Sequence, residues 1–214
     1  MTISRNISVM AQGASSSGIL AGGYGGLGVS ISPTTAGNTI FTTDGSTWSS
    51  TQKIVRGTAV ATTSGTAVGF TGIPSWVKRI TMLLNEVSTS GTSNIMVQIG
   101  SGSYTSSGYV GYAGYISGTS GTGGAQQTTN GFTVAALAVS TQTVSATAFL
   151  NNITGNVWTY TATSLRNSGT AAQNGVTTMV YVPVTLGGAL DRIQLTTPNT
   201  TDVFDAGSVN IFYE

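Results

Sequence analysis

The chain has 214 residues, of which 39% are hydrophobic and only 6% charged, against about 25% charged in a typical soluble domain. That length holds one sizeable β domain plus an extended segment and excludes two full enzyme domains. A net charge of +1 gives a monomer almost no repulsion from its neighbours. Solubility then rests on hydroxyl and amide groups, or on burial of surface in a permanent assembly.

Seven scattered Lys and Arg, with Lys78-Arg79 the one adjacent pair, do not make a phosphate-binding surface, so no nucleic-acid partner is expected. The absence of Cys removes disulfides and thiolate metal sites. No charged start leads into an apolar run, and no apolar stretch reaches about 18 residues. Synthesis in a cytoplasm without membrane insertion is therefore the expectation.

Along the chain, Ile3 to Met10 can form one short turn of helix, and Gly13 to Gly28 is dominated by Gly, Ser and Ala with no structural period. We read residues 1–50 as an extended Gly/Ser-rich arm that attaches to a neighbouring subunit, a flexible tail being the alternative. Residues 51–214 read as a β-sandwich domain, because short β-rich runs alternate there with turn residues. The expected strands are Ile54 to Val60, Thr66 to Phe70, Val77 to Leu84, Ile95 to Ile99, Tyr109 to Ile116, Phe132 to Val139, Val144 to Leu150, Val157 to Thr163, Thr178 to Val182, Arg192 to Leu195 and Val209 to Tyr213. Val209, Ile211 and Tyr213 share one face, and Ile193 with Leu195 match them on the preceding strand. The echo of Gly57-Thr-Ala-Val60 in Gly65-Thr-Ala-Val68 reads as the two arms of one hairpin. Three polar linkers stand out, Thr89 to Asn94, Ser117 to Asn130 and Asn167 to Gly175, in the positions where binding variation accumulates on a sandwich.

The search for chemistry eliminates most mechanisms. His and Cys are both absent, which removes the Ser-His-Asp arrangement, the cysteine nucleophile and the usual zinc sites. Ser50-Thr-Gln-Lys53 matches a Ser-x-x-Lys pattern, but that pattern needs a helix, and this stretch is poor helix material. Gly23-Tyr-Gly-Gly-Leu-Gly28 matches G-x-G-x-x-G without a strand before it or a helix after it. Asp202 and Asp205 could flank a sugar as a glycosidase pair or hold calcium, yet they fit better as an Asx-turn connection between the last two strands. No catalytic, metal or cofactor residue is assigned, and the chain is expected not to be an enzyme.

Tyr109, Tyr112 and Tyr115 lie in a Gly- and Ser-rich stretch of the kind that makes adaptable binding surfaces, with flat rings able to stack on sugars. With Gln126 and Gln127 they are the candidate surface-binding residues. Tyr109 and Tyr115 share strand parity while Tyr112 opposes them, so packing inward competes with binding for at least one.

Three segments carry a resemblance. The opening, from Ser4-Arg5-Asn6 through Gly13-Ala-Ser-Ser-Ser-Gly-Ile-Leu20, is similar to the starts of tailed-bacteriophage tail-fibre proteins. Ala67-Val-Gly-Phe-Thr-Gly-Ile-Pro-Ser-Trp-Val-Lys-Arg-Ile-Thr81 looks like a segment that recurs in fibre and virion proteins, and Asp191-Arg-Ile-Gln-Leu-Thr-Thr197 with Asp205-Ala-Gly-Ser-Val-Asn-Ile-Phe-Tyr-Glu214 looks like their C-termini. The resemblance implies an all-β, jelly-roll-like antiparallel β-sandwich, assembled as a homotrimer in the virion. Its N-terminal part would bind other virion proteins and its C-terminal domain would be exposed; the tyrosines and polar loops then point to a host surface glycan as what that domain contacts. The chain is short for a fibre and has no repeat shaft, which keeps a capsid decoration (cement) protein on the head as the alternative.

Overall fold

The structure, a computed structural model, describes residues 38–42, 48–52, 54–117, 122–126, 128–137, 140–167 and 175–214. The chain divides into two compact units, Met1–Ile54 and Val55–Glu214. Most of the expected arm over 1–50 lies outside the described residues, as do the Gly23 to Gly28 match and Lys53. Within the first unit, β1 (Asn38–Thr42) and β2 (Trp48–Gln52) pair as an antiparallel hairpin, which places Ser50 in a strand.

The second unit is all-β. Its strands are β3 (Val55–Arg56), β4 (Val60–Ala61), β5 (Ala67–Thr71), β6 (Arg79–Thr89), β7 (Ile95–Ser101), β8 (Ser103–Tyr104), β9 (Gly111–Ser117), β10 (Thr122–Gln126), β11 (Phe132–Ala135), β12 (Thr143–Thr154), β13 (Val157–Asn167), β14 (Gly175–Tyr181), β15 (Val184–Thr185), β16 (Arg192–Thr196) and β17 (Phe204–Tyr213). All pairings are antiparallel.

The smaller sheet runs β11-β7-β16-β5, with β8 folded back on β7. The larger sheet runs β10-β9-β14-β13-β12-β6-β17-β3, with β4 also on β17 and β15 on β13. Eight positions carry the fold: β3/β4, β17, β6 and β12 on one side, and β5, β16, β7 and β11 on the other. The chain crosses from one sheet to the other at every step between them except β7 to β11, which are neighbours in the smaller sheet, and this is jelly-roll connectivity. Two strand pairs are inserted into it. β9 and β10 come between β7 and β11, β13 and β14 between β12 and β16, and all four widen the larger sheet beyond β12.

Period-2 alternation explains the packing. Ile80, Met82 and Leu84 on β6, Val144, Ala146, Ala148 and Leu150 on β12, and Val209 and Ile211 on β17 point inward, against Ile95, Val97 and Ile99 on β7 and Ile193 and Leu195 on β16. The inward placement of Val209, Ile211, Ile193 and Leu195 agrees with their alternation, but β16 and β17 belong to opposite sheets and face each other across the core. The expected hairpin of Gly57 to Val60 with Gly65 to Val68 does not form: β4 pairs with β17 and β5 with β16. A local echo fixes two β-rich runs without saying which sheet each joins.

β6 continues five residues past Leu84 because a bulge resets its alternation. Glu86 and Gly207 both adopt positive φ, 50° and 90°, where β6 and β17 lose register. A Cβ at Gly207 would collide with the carbonyl oxygens of Asn85 and Glu86, so only glycine fits there. β10 lies inside a segment expected to be loop, Ser117 to Asn130, and is a strand through its pairing with β9.

Candidate functional site

The structure separates the candidate tyrosines. Tyr109, just before β9, is 0% exposed, which overturns its assignment to a binding surface. Its Oη accepts a hydrogen bond from the Ile99 amide at 3.1 Å and donates to the Thr105 carbonyl at 3.0 Å. Its ring meets Phe132 edge-on, with centroids 4.7 Å apart, and Phe132 stacks on Tyr160 at 4.5 Å with Tyr181 edge-on at 5.1 Å. Aromatic groups so placed favour each other beyond their buried area. Burial pushes the Tyr109 hydroxyl up to about 12, the Ile99 hydrogen bond offsetting it in part, and burial raises Tyr160 well above the ordinary tyrosine value.

Tyr115 also points to the inner side. It is half-buried, with the Arg166 guanidinium 5.2 Å from its ring centroid. Tyr112 alone of the three points outward and is 63% exposed. The backbone of Gln126 pairs with Ala113 at the edge of the larger sheet, and Gln127 lies outside the described residues. The three tyrosines therefore do not form one surface site.

What Tyr112 belongs to is the outer face of the larger sheet. Cross-strand register places Leu83, Thr147 and Thr163 in one row, Thr81, Phe149 and Thr161 in the next, and Ser145 beside Leu165. Tyr112 and Ile116 continue the face on β9. Leu165 is 52% exposed and Ile116 61%, with Leu83 and Phe149 each more than a third exposed. Leu83, Thr147, Thr163 and Leu165 rim a shallow, open depression of about 520 Å³.

The face has no charge in its interior, and the cause is in the sequence: between Val87 and Leu190 the single charged residue is Arg166. That one side chain points the other way and is 2% exposed. Its Nη1 donates to the Ala136 carbonyl at 2.6 Å, while its Nε and Nη2 have no hydrogen-bond partner among the described residues. Burial lowers its pKa. Arg79 at the start of β6, Glu86 at its bulge and Arg56 over the Phe212 ring mark where the uncharged area stops.

Among the described acids, Asp191, Asp202, Asp205 and Glu214 are tied into turns and pairs, and Asp44 lies outside the described residues. The Asn199 Oδ1 accepts hydrogen bonds from the Thr201 and Asp202 amides, both at 3.2 Å, which is the Asx turn expected of this connection. Asp202 accepts from the Ser93 amide at 3.0 Å and from Asn199 Nδ2 at 2.7 Å. Asp205 accepts from Ser88 Oγ, Glu214 pairs with Arg79, and Asp191 takes Arg192 Nε at 2.8 Å. Hydrogen bonds from Arg192 and the Gly102 amide hold the Asp191 carboxyl below its ordinary value. Among the described residues no three acids gather as a metal site would require, and no helix is long and apolar enough to cross a membrane.

No protein-family model matches the chain, and neither a curated protein nor a solved structure matches it.

Proposed function

We propose that this chain is a structural, non-catalytic subunit of a tailed-bacteriophage particle. In this reading it is a fibre or appendage protein that assembles as a homotrimer. It attaches to other virion proteins through residues 1–50 and presents the β-sandwich outward toward a host surface glycan. Jelly rolls serve in viral capsids and in lectins, but a fold alone does not assign a function. The observation that carries the reading is the long stretch, Val87 to Leu190, with Arg166 as its one charge, which supplies β9, β10 and β12 to β15 of a broad sheet with apolar side chains on its outer face. A surface of that kind suits permanent assembly better than life as a free monomer.

The test is to label an exposed loop, such as the turn at Gly155, and to image and count the protein in purified particles. A few oligomers at the tail support the appendage role. Hundreds of copies spread over the head would replace it with a decoration protein that stabilises the capsid. A protein missing from particles altogether would overturn both.

A further inference from the structure

We infer that the outer face of the larger sheet, centred on Leu83, Phe149, Leu165 and Ile116, is the surface through which copies of this chain bind one another. The inference rests on the structural-subunit reading; because like face meets like face, the contact closes a two-fold pair and adds to the trimer of that reading without forming it.

Three properties of the face select a second copy as its occupant. The first is charge. A partner with a charged surface would bury its charges here against an interior that offers none in return, since Arg56, Arg79 and Glu86 stand at its margins, at a cost of several kcal/mol per ion. Another copy brings the same uncharged surface. The second is the chemistry of the polar groups. Between the apolar side chains stand Thr81, Thr147, Thr161, Thr163 and Ser145. A hydroxyl donates and accepts at once, so a hydroxyl surface complements itself, which a carboxylate or ammonium surface cannot do. The third is size. From β17 to β9 the sheet is roughly 24 Å wide, and seven paired residues make it roughly 23 Å tall, a flat footprint of about 550 Å² before side-chain relief is counted. Stable interfaces cover about 800 Å² per partner, so the face is of the right order without help from elsewhere on the molecule.

The depression between Leu83 and Leu165 adds shape to the match. Thr147 and Thr163 also line it, and it is open enough to receive a large side chain from the facing copy. A flat sheet surface without such relief would slide. A knob seated in a recess fixes one relative position, and central, well-packed anchors of this sort carry most of the energy of an interface.

The experiment measures the mass of the full chain in solution, by sedimentation equilibrium, for the parent and for Leu165→Lys and Phe149→Glu. Val182→Lys, an equally exposed apolar residue between β14 and β15, is the control. Unfolding curves establish that each variant is folded. The expected result is an oligomeric parent and control, with both face variants reduced to half the parent's mass. Face variants that keep the parent's mass overturn the inference, because the contact would then lie elsewhere, and leave the structural-subunit reading standing on particle labelling. A parent that stays monomeric at on the order of 100 µM also overturns it, since a permanent assembly contact holds at that concentration.

Discussion

The two sheets of the sandwich turn very different outer faces to their surroundings. On the smaller sheet, Arg192 pairs with Asp191 at 2.8 Å and lies over the Tyr104 ring, 5.8 Å from its centroid. Gln194 Nε2 donates to Gln98 Oε1 at 2.7 Å, Gln98 Nε2 donates to the Asn130 carbonyl at 2.7 Å, and Thr196 Oγ1 donates to the Thr66 carbonyl at 2.9 Å. Polar groups on that side find their partners within the chain. On the larger sheet, leucine, phenylalanine and isoleucine side chains stand in the open among hydroxyls. The first face is complete as it stands, whereas the second exposes apolar area that only another molecule can remove from water. Two sheets with one core can thus divide the labour, one closing the molecule and the other opening it to assembly.

The comparison can be tested by substitution, beginning with the core both sheets share. Phe132→Ala removes the ring that Tyr109, Tyr160 and Tyr181 pack against and is expected to cost about 3–5 kcal/mol in denaturant unfolding. A loss under about 1 kcal/mol would mean that the aromatic cluster does not hold the sheets together.

The next effect is read by pH. The Tyr109 hydroxyl is raised to about 12 in the folded chain, against about 10 unfolded. Above pH 10 the unfolded state loses this proton first and binds fewer protons, so stability is intact below pH 10 and declines as pH rises toward 12. About 2–3 kcal/mol is at stake for this residue at 1.36 kcal/mol per unit, and Tyr160 acts in the same direction. A Tyr109→Phe variant should show a shallower alkaline decline, and an unchanged slope would remove Tyr109 as its source.

On the outer faces themselves the two sheets should respond differently. Gln98→Leu leaves the Asn130 carbonyl and the Gln194 amide without their partner and is expected to destabilise by about 1–3 kcal/mol. Thr163→Val, on the larger sheet, changes a side chain in the row with Thr147 and is expected to shift the stability of a single chain by less than about 0.5 kcal/mol. If chemical denaturation ranks these two the other way, the smaller sheet is not the self-contained one.

Much of this architecture was readable in advance, and the misses have physical causes. Ile80, Met82 and Leu84 alternate cleanly, and β7, β13 and β16 begin where the β-rich runs begin. Period 2 ends β6 at Leu84, because the bulge at Glu86 breaks the alternation and the matching glycine, Gly207, is more than a hundred residues away. β10, Thr-Gly-Gly-Ala-Gln, has almost no β propensity, and pairing with β9 makes it a strand. The burial of Tyr109 is hidden from composition, which cannot show that Ile99 and Thr105 meet its hydroxyl. The outer face left a signal that average composition conceals: the low overall charge is concentrated as a single long uncharged stretch, interrupted only by the buried Arg166.

The inserted pairs β9–β10 and β13–β14 give this surface a property independent of its chemistry. They attach beyond β12, at the far side of the sheet from β17, and leave the crossings between the eight core strands untouched. Contact width is therefore a modular quantity. Adding or trimming a hairpin at that margin changes the reach of the sheet by about 4.8 Å per strand. Such a scaffold can retune how firmly its copies hold one another by editing its border, with no residue of the interior required to move.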